Sequence, residues 1–207
     1  MSKIVNKGLL LIISSPSGAG KTTICKKLID EVDDIDLSVS VTTRKKRKDE
    51  LEGKHYFFKN EKEFRILLNE NQFLEHANVF GFKYGTLQQT VLNSFKKNKD
   101  VLFDIDWQGF QQLKQSNMEV VGIFILPPSK KELINRLKTR GRDTAKEMKK
   151  RMNLVQNEIS HFPEYDYVVV NKNLKFCVNQ IKNIIETERL KRSRLINLTS
   201  FVNKFRN

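Results

Sequence analysis

Leu9-Leu10-Leu11-Ile12-Ile13-Ser14-Ser15-Pro16-Ser17-Gly18-Ala19-Gly20-Lys21-Thr22-Thr23 decides the fold. The apolar run that opens it reads as a strand buried on both faces, the habit of parallel sheets. Small and turn-forming residues follow. Gly20-Lys21-Thr22 then opens a stretch with helical spacing at Ile24, Leu28 and Ile29. Strand, small-residue loop, Gly-Lys-Thr and helix make a phosphate-binding P-loop. Loop amides and the helix N-terminus converge on an anion, aided by the helix dipole. Lys21 supplies a charge for the β/γ-phosphates, and the Thr22 hydroxyl is placed to ligate Mg²⁺. Ser15 stands where the motif has a Gly, so its backbone is expected to stay out of the left-handed region.

At 207 residues the chain supports one sizeable core. Its apolar runs fall short of a membrane span or a signal-peptide core, so a cytoplasmic protein with no membrane partner is expected. Cys25 and Cys177 fit a reducing compartment and read as small buried apolar residues. The formal charge of +14 attracts phosphates. Nucleic acid is a rival ligand for that charge, but no reading motif accompanies it and it leaves the P-loop unexplained.

The first helix is expected from about Lys21 to Val32. Leu37 to Thr42 alternates as a half-exposed strand, followed by the basic run 44–48 and a short aromatic strand over 55–58. Asn60 with Glu63 forms a capping box. Residues 73–80 and 82–86 read as two strands about Gly81, and Thr86 is placed to cap a helix over 87–97. The block from Leu37 to Thr86 is therefore mostly small antiparallel strands. Beyond it, buried strands at 101–106, 120–126 and 167–170 alternate with helices, the last carrying Cys177, Ile181, Ile184 and Ile185. That alternation implies a parallel sheet whose ligands lie beyond the strands' carboxyl ends. Arg44 and Arg47 form one basic set, and Arg136, Arg140, Arg142 and Arg151 another around a Gly-containing turn. Two arginine sets and one phosphate loop suggest two phosphate-bearing ligands.

Several motifs in order give the chain a resemblance to the guanylate kinase family over about residues 8 to 190. They are the loop itself, 38–44 (SVSVTTR), 53–58 (GKHYFF), 84–86 (YGT), 104–109 (DIDWQG) and 140–143 (RGRD). The resemblance implies an α/β fold: a P-loop parallel sheet flanked by helices, a small mixed β/α GMP-binding insertion and a helical lid. Residues 1–36, 94–137 and 152–207 would form the core, 37–93 the insertion and 138–151 the lid. It implies Mg²⁺-dependent transfer of the ATP γ-phosphoryl group to GMP or dGMP. Ser15, Pro16, Ser17, Gly18, Ala19, Gly20, Lys21, Thr22 and Thr23 would hold ATP, with Asn171 facing the adenine. Ser40, Glu75, Thr86 and Asp104 would form the guanine pocket, and Arg44, Arg47, Tyr56 and Tyr84 would hold the GMP phosphate. Lys21, Arg44, Arg136, Arg140 and Arg151 would act in catalysis. Asp106 is a candidate for indirect Mg²⁺ or arginine contacts. Guanine suits that pocket: one carboxylate can accept from N1–H and the 2-amino group together, while a hydroxyl donates to O6. A family module that binds protein without catalysis is the second rival, and the intact ATP motifs stand against it. Monomer and homodimer both stay open. So do docking, subunit pairing and fraying for the tail beyond Leu190.

Overall fold

The computed structural model describes residues 4–116, 118–139 and 145–206, with side chains in the last segment from 152 onward. Five parallel strands form the main sheet in the order β10-β9-β2-β8-β3. Its centre is β2 (Leu10–Ser14), flanked by β8 (Asp100–Asp104) and β9 (Val120–Leu126). The edges are β3 (Ile35–Leu37) and β10 (Tyr167–Val170). β2 has no solvent-facing residue, as its unbroken apolar run requires. Alternate residues feed two cores. Leu9, Leu11 and Ile13 pack with α1 (Lys21–Glu31) and α7 (Leu174–Arg189), where Cys25 and Cys177 are both buried. Leu10 and Ile12 face Phe103, Phe110 and Phe124 on the other side, with α3 (Gln88–Phe95) and α4 (Trp107–Gln115).

A second sheet, β5-β4-β7-β6, rises beyond the carboxyl ends of β2 and β8. It comprises β4 (Val41–Thr42), β5 (Phe57–Phe58), β6 (Phe73–Val79) and β7 (Phe82–Leu87). The β6–β7 hairpin turns at Phe80 and Gly81, both at positive φ (54° and 86°), as a two-residue primed turn demands. α2 (Glu61–Asn69) carries the complete Asn60–Glu63 capping box and seats Phe64 on Phe73 at 4.5 Å.

Several expectations need correction. The run 37–42 is two strands, not one. Leu37 closes β3 of the main sheet, and Val41–Thr42 belongs to the second sheet, because the chain crosses between layers at Ser38–Ser40. The aromatic strand is only Phe57–Phe58, and it runs parallel to β4. Thr86 does not cap α3: it lies inside β7, fully buried, and Leu87 takes the cap position without a side-chain bond. α4 fills the interval between the strands read at 101–106 and 120–126: Asp106 caps it with bonds from the Gln108 and Gly109 amides, and Phe110 and Leu113 keep helical spacing. Among the described residues no helix is long and apolar enough to cross a membrane.

The tail docks. β1 (Val5–Asn6) pairs antiparallel with β11 (Leu195–Ile196), and a last helix, α8 (Leu198–Asn203), follows. Arg194 is 2% exposed and reaches Glu119 at 3.0 Å and Glu188 at 3.8 Å. Glu188 is itself buried and accepts from the Tyr167 hydroxyl at 2.8 Å. Removing one partner of a buried ion cluster is far more damaging than losing a surface pair. Arg194→Ala should lower unfolding stability by about 3 kcal/mol in urea titrations. A change within about 0.5 kcal/mol would show the tail to be a passive covering.

Candidate active site

A cavity of about 430 Å³ opens between the two sheets, above the carboxyl ends of β2 and β8. Its floor is the loop 15–20. Gly18 and Gly20 stand at φ 93° and 102°, a region closed to other residues without strain, whereas Ser15 is not among the positive-φ residues. Ser15 instead turns its hydroxyl onto the Pro16 carbonyl at 3.0 Å. The loop is braced from behind. Ala19 O accepts from Asn171 Nδ2 at 2.8 Å and from Arg136 Nη1 at 3.3 Å. Arg136 also donates to Asn171 O at 3.0 Å and pairs with Glu132 at 2.8 Å. Asn171 is therefore buried behind the loop, with its side-chain amide on the Ala19 carbonyl.

Lys21, first in α1, points its ammonium at Asp104 Oδ1 (2.6 Å) and the Ile105 carbonyl (2.9 Å). Burial works against that charge, but Asp104 outweighs it and holds the lysine above its ordinary range. Thr22 Oγ1 donates to the other Asp104 oxygen at 3.3 Å. Asp104 thus stands with Lys21 and Thr22, on the loop side. Asp106 lines the same cavity, but its oxygens cap α4 and accept from Gln108 Nε2 at 2.7 Å.

The opposite wall comes from the second sheet. Ser40, Arg44, Arg47, Tyr56, Glu75 and Tyr84 all face the cavity. Arg44 forms a two-pronged pair with Glu50 at 2.6 and 3.0 Å, and its guanidinium lies 5.3 Å from the Tyr56 ring centre. Glu50 also accepts from the Arg47 amide at 2.8 Å, so one carboxylate aims both arginine-bearing positions. Glu50 was not foreseen, because only its sequence nearness to the basic run hints at it. Burial and the nearby Asp104 raise the Tyr56 phenol to about 12, keeping it a proton donor.

Glu75 occupies an inward position in the alternation Phe73, Glu75, Ala77 and Val79 of β6. A register shift between Phe73 and Glu75 sets it opposite Thr86 on β7. Glu75 is 3% exposed and Thr86 wholly buried, and Glu75 Oε1 and Thr86 Oγ1 have no hydrogen-bond partner of ordinary geometry among the described residues. Thr86 lies behind the wall, reached past Glu75 and not itself part of the cavity lining. Behind Glu75, Gly109 leaves room: a methyl group there would overlap the carboxylate. Burial, opposed by the neighbouring Thr86 hydroxyl and amide and by Lys21 and reinforced by the charge of Asp106, pushes the Glu75 carboxyl up to about 7. Arg140 and Arg142 lie outside the described residues, as do the rest of 140–144 and the side chain of Arg151 in the expected 138–151 lid.

A helix-flanked parallel sheet with an anion-accepting loop at its carboxyl edge, facing a polar pocket across a cavity, defines a nucleotide-binding phosphotransferase. The sequence profile of guanylate kinase matches residues 7–188. The chain is 48% identical over 203 residues to a guanylate kinase of Zymomonas mobilis, covering 98% of this chain and 94% of that one. It is 48% identical over 202 residues to that of Rhizobium meliloti, covering 97% and 92%. The crystal structure of guanylate kinase from Anaplasma phagocytophilum superposes with a TM-score of 0.81 at 37% identity, covering 97% of this chain and 96% of that one. The chain belongs to the guanylate kinase family.

The raised carboxyl has a signed consequence. Its folded value of about 7 exceeds the ordinary 4.5, so the folded state holds the proton more tightly. Stability contributed by that proton is complete below pH 4.5 and is lost as pH rises through about 7. The ligand-free protein should lose on the order of 3 kcal/mol from this group between pH 4.5 and 7. Comparing urea unfolding of Glu75→Gln with the parent across that window isolates the effect. Parallel pH profiles would remove Glu75 as its source.

Proposed function

We propose that guanine sits at the Glu75–Thr86–Ser40 end of the cavity and the ATP phosphates on the loop, with the GMP phosphate between them. The chain is an ATP:GMP phosphotransferase, giving ADP and GDP. The observation that carries the placement is the buried Glu75 carboxylate in the cavity wall, whose Oε1 accepts no hydrogen bond of ordinary geometry among the described residues. An orphaned acceptor in a dry pocket is costly unless a ligand's donors meet it. Guanine offers two adjacent donors to one carboxylate and takes a hydroxyl proton at O6. Adenine offers an acceptor at N1, which a carboxylate repels. dGMP stands beside GMP in this proposal on the family resemblance alone.

Arg44, Arg47, Tyr56 and Tyr84 hold the GMP phosphate in this reading. Glu50 keeps the Arg44 fork aimed before the ligand arrives, which reduces the ordering needed on binding. Phosphoryl transfer asks little acid–base chemistry of the protein and depends on in-line positioning and charge neutralisation. Lys21 is poised for that at the loop. Arg136 acts indirectly here, by bracing the loop, while Arg140 and Arg151 remain lid candidates on motif alone.

The site fits Mg²⁺ as an ATP-borne ion. Among the described residues no three His, Cys, Asp or Glu side chains gather for a metal. A single hydroxyl, Thr22, backed by the Asp104 carboxylate, suits a cation that keeps most of its ligands as water and phosphate oxygen. Its contribution when bound is neutralisation of the β/γ-phosphate charge. Closure of 138–151 over ATP and a cytoplasmic setting complete the proposal.

Two measurements bear on it. Lys21→Ala should fold normally and lose at least about a hundredfold in phosphotransfer, since its charge meets the transferring group. Near-parental turnover would reject the loop assignment. Glu75→Gln keeps one acceptor but sets an NH₂ against a guanine donor. In a coupled ADP-release assay its kcat/KM for GMP should fall at least about tenfold, with the KM for ATP unmoved and the preference over AMP narrowed. Retained GMP efficiency and discrimination would mean that guanine is read elsewhere.

A further inference from the structure

One acidic side chain meets the phosphate loop from an unexpected direction. α6 (Ala145–Ser160) lies beyond α5 (Lys130–Thr139), and its Glu158 accepts a hydrogen bond from the Ser17 amide at 3.1 Å. Glu158 also lines the cavity. The contrast with the other tethers is chemical. Asn171 and Arg136 donate to the Ala19 carbonyl, a group with no use for a phosphate, and Asn171 lies outside the cavity. Glu158 instead takes up an amide proton on the cavity side of a loop whose amides are its anion-binding asset. A carboxylate there stands in for an anionic oxygen.

Its helix is mechanically joined to the loop. Val155, one turn before Glu158, packs with Leu133 and Leu137 of α5, and these two leucines lie against Gly18.

We propose that Glu158 is a positioning residue that holds the nucleotide-free loop as an internal surrogate anion and is displaced by the ATP or ADP phosphates. The inference rests on the reading of loop 15–20 as the ATP-phosphate site. Two anions compete for one donor, and like charges close together in a partly dry cleft repel. Nucleotide affinity is therefore held below what the loop alone would give. Re-forming the Glu158 contact favours departure of ADP.

Isothermal titration of ADP, and separately of GMP, into the full-length parent, Glu158→Gln and Glu158→Ala tests it, with thermal unfolding as a folding check. Glutamine keeps the acceptor and its shape while losing the charge, so it carries the test if the alanine variant fails to fold. Both variants should bind ADP roughly tenfold tighter, the equivalent of one charge-assisted bond, with GMP affinity unchanged and the steady-state KM for ATP lowered. A residue that merely shapes the loop would give the opposite sign. Weaker or unchanged ADP binding in a folded variant overturns the proposal alone. A parent protein that binds no ADP overturns both it and the phosphate-loop reading.

Discussion

The site depends on where the loop's carbonyls go. A peptide segment has as many acceptors as donors, and its amides can face a phosphate only if its carbonyls are satisfied elsewhere. Here the Pro16 carbonyl accepts from the Ala19 amide and the Ser15 hydroxyl, and the Ala19 carbonyl accepts from Asn171 and Arg136. The end of β10 and the last turns of α5 thus hold the loop's back to the sheet. Gly20 allows this approach: a side chain there would strike the Asn171 amide. The cradle is a property of three elements, not of the glycine-rich segment alone.

A second regularity is the balance of charge. Among the described residues the cations that face the cavity stand beside carboxylates: Lys21 with Asp104, Arg44 with Glu50, Arg136 with Glu132, and Arg47 at 4.0 Å from the same Glu50. Such pairs keep long side chains oriented and lower the field that an empty, strongly basic cleft would otherwise carry. They also mean that ligand phosphates exchange partners with internal anions and do not find bare cations. The net charge of +14 therefore says little about this cleft, whose own groups are largely matched.

Local patterns carried much of the architecture. The unbroken apolar run of β2, the Asn60–Glu63 box and the alternation in β6 each name their element within a few residues. What stayed hidden depends on distant partners. Asn171 meets Ala19 across 152 positions, and nothing near either residue announces the bond. Thr86 has the chemistry of a helix cap, but pairing with Glu75 keeps it in the sheet. Leu37 and Val41 sit in one alternating run, yet the layer change between them is set by β8 on one side and β7 on the other. Glu158, at the end of a helix rich in charge, is indistinguishable from a solvated residue until the loop is beside it.

The central place of β2 bears on how the chain matures. During synthesis its apolar segment is complete by residue 14, while the strands that flank it begin only at residues 100 and 120. Until residue 104 has been made this apolar strand has neither neighbour, a state that invites association with other nascent chains. The small sheet and its hairpin, whose pairings are local, can form in that interval. The last ribbon waits longer still, since Val5 pairs with Ile196. The chain's first strands are thus among the last to be secured, and a ribosome that stops early leaves them without partners.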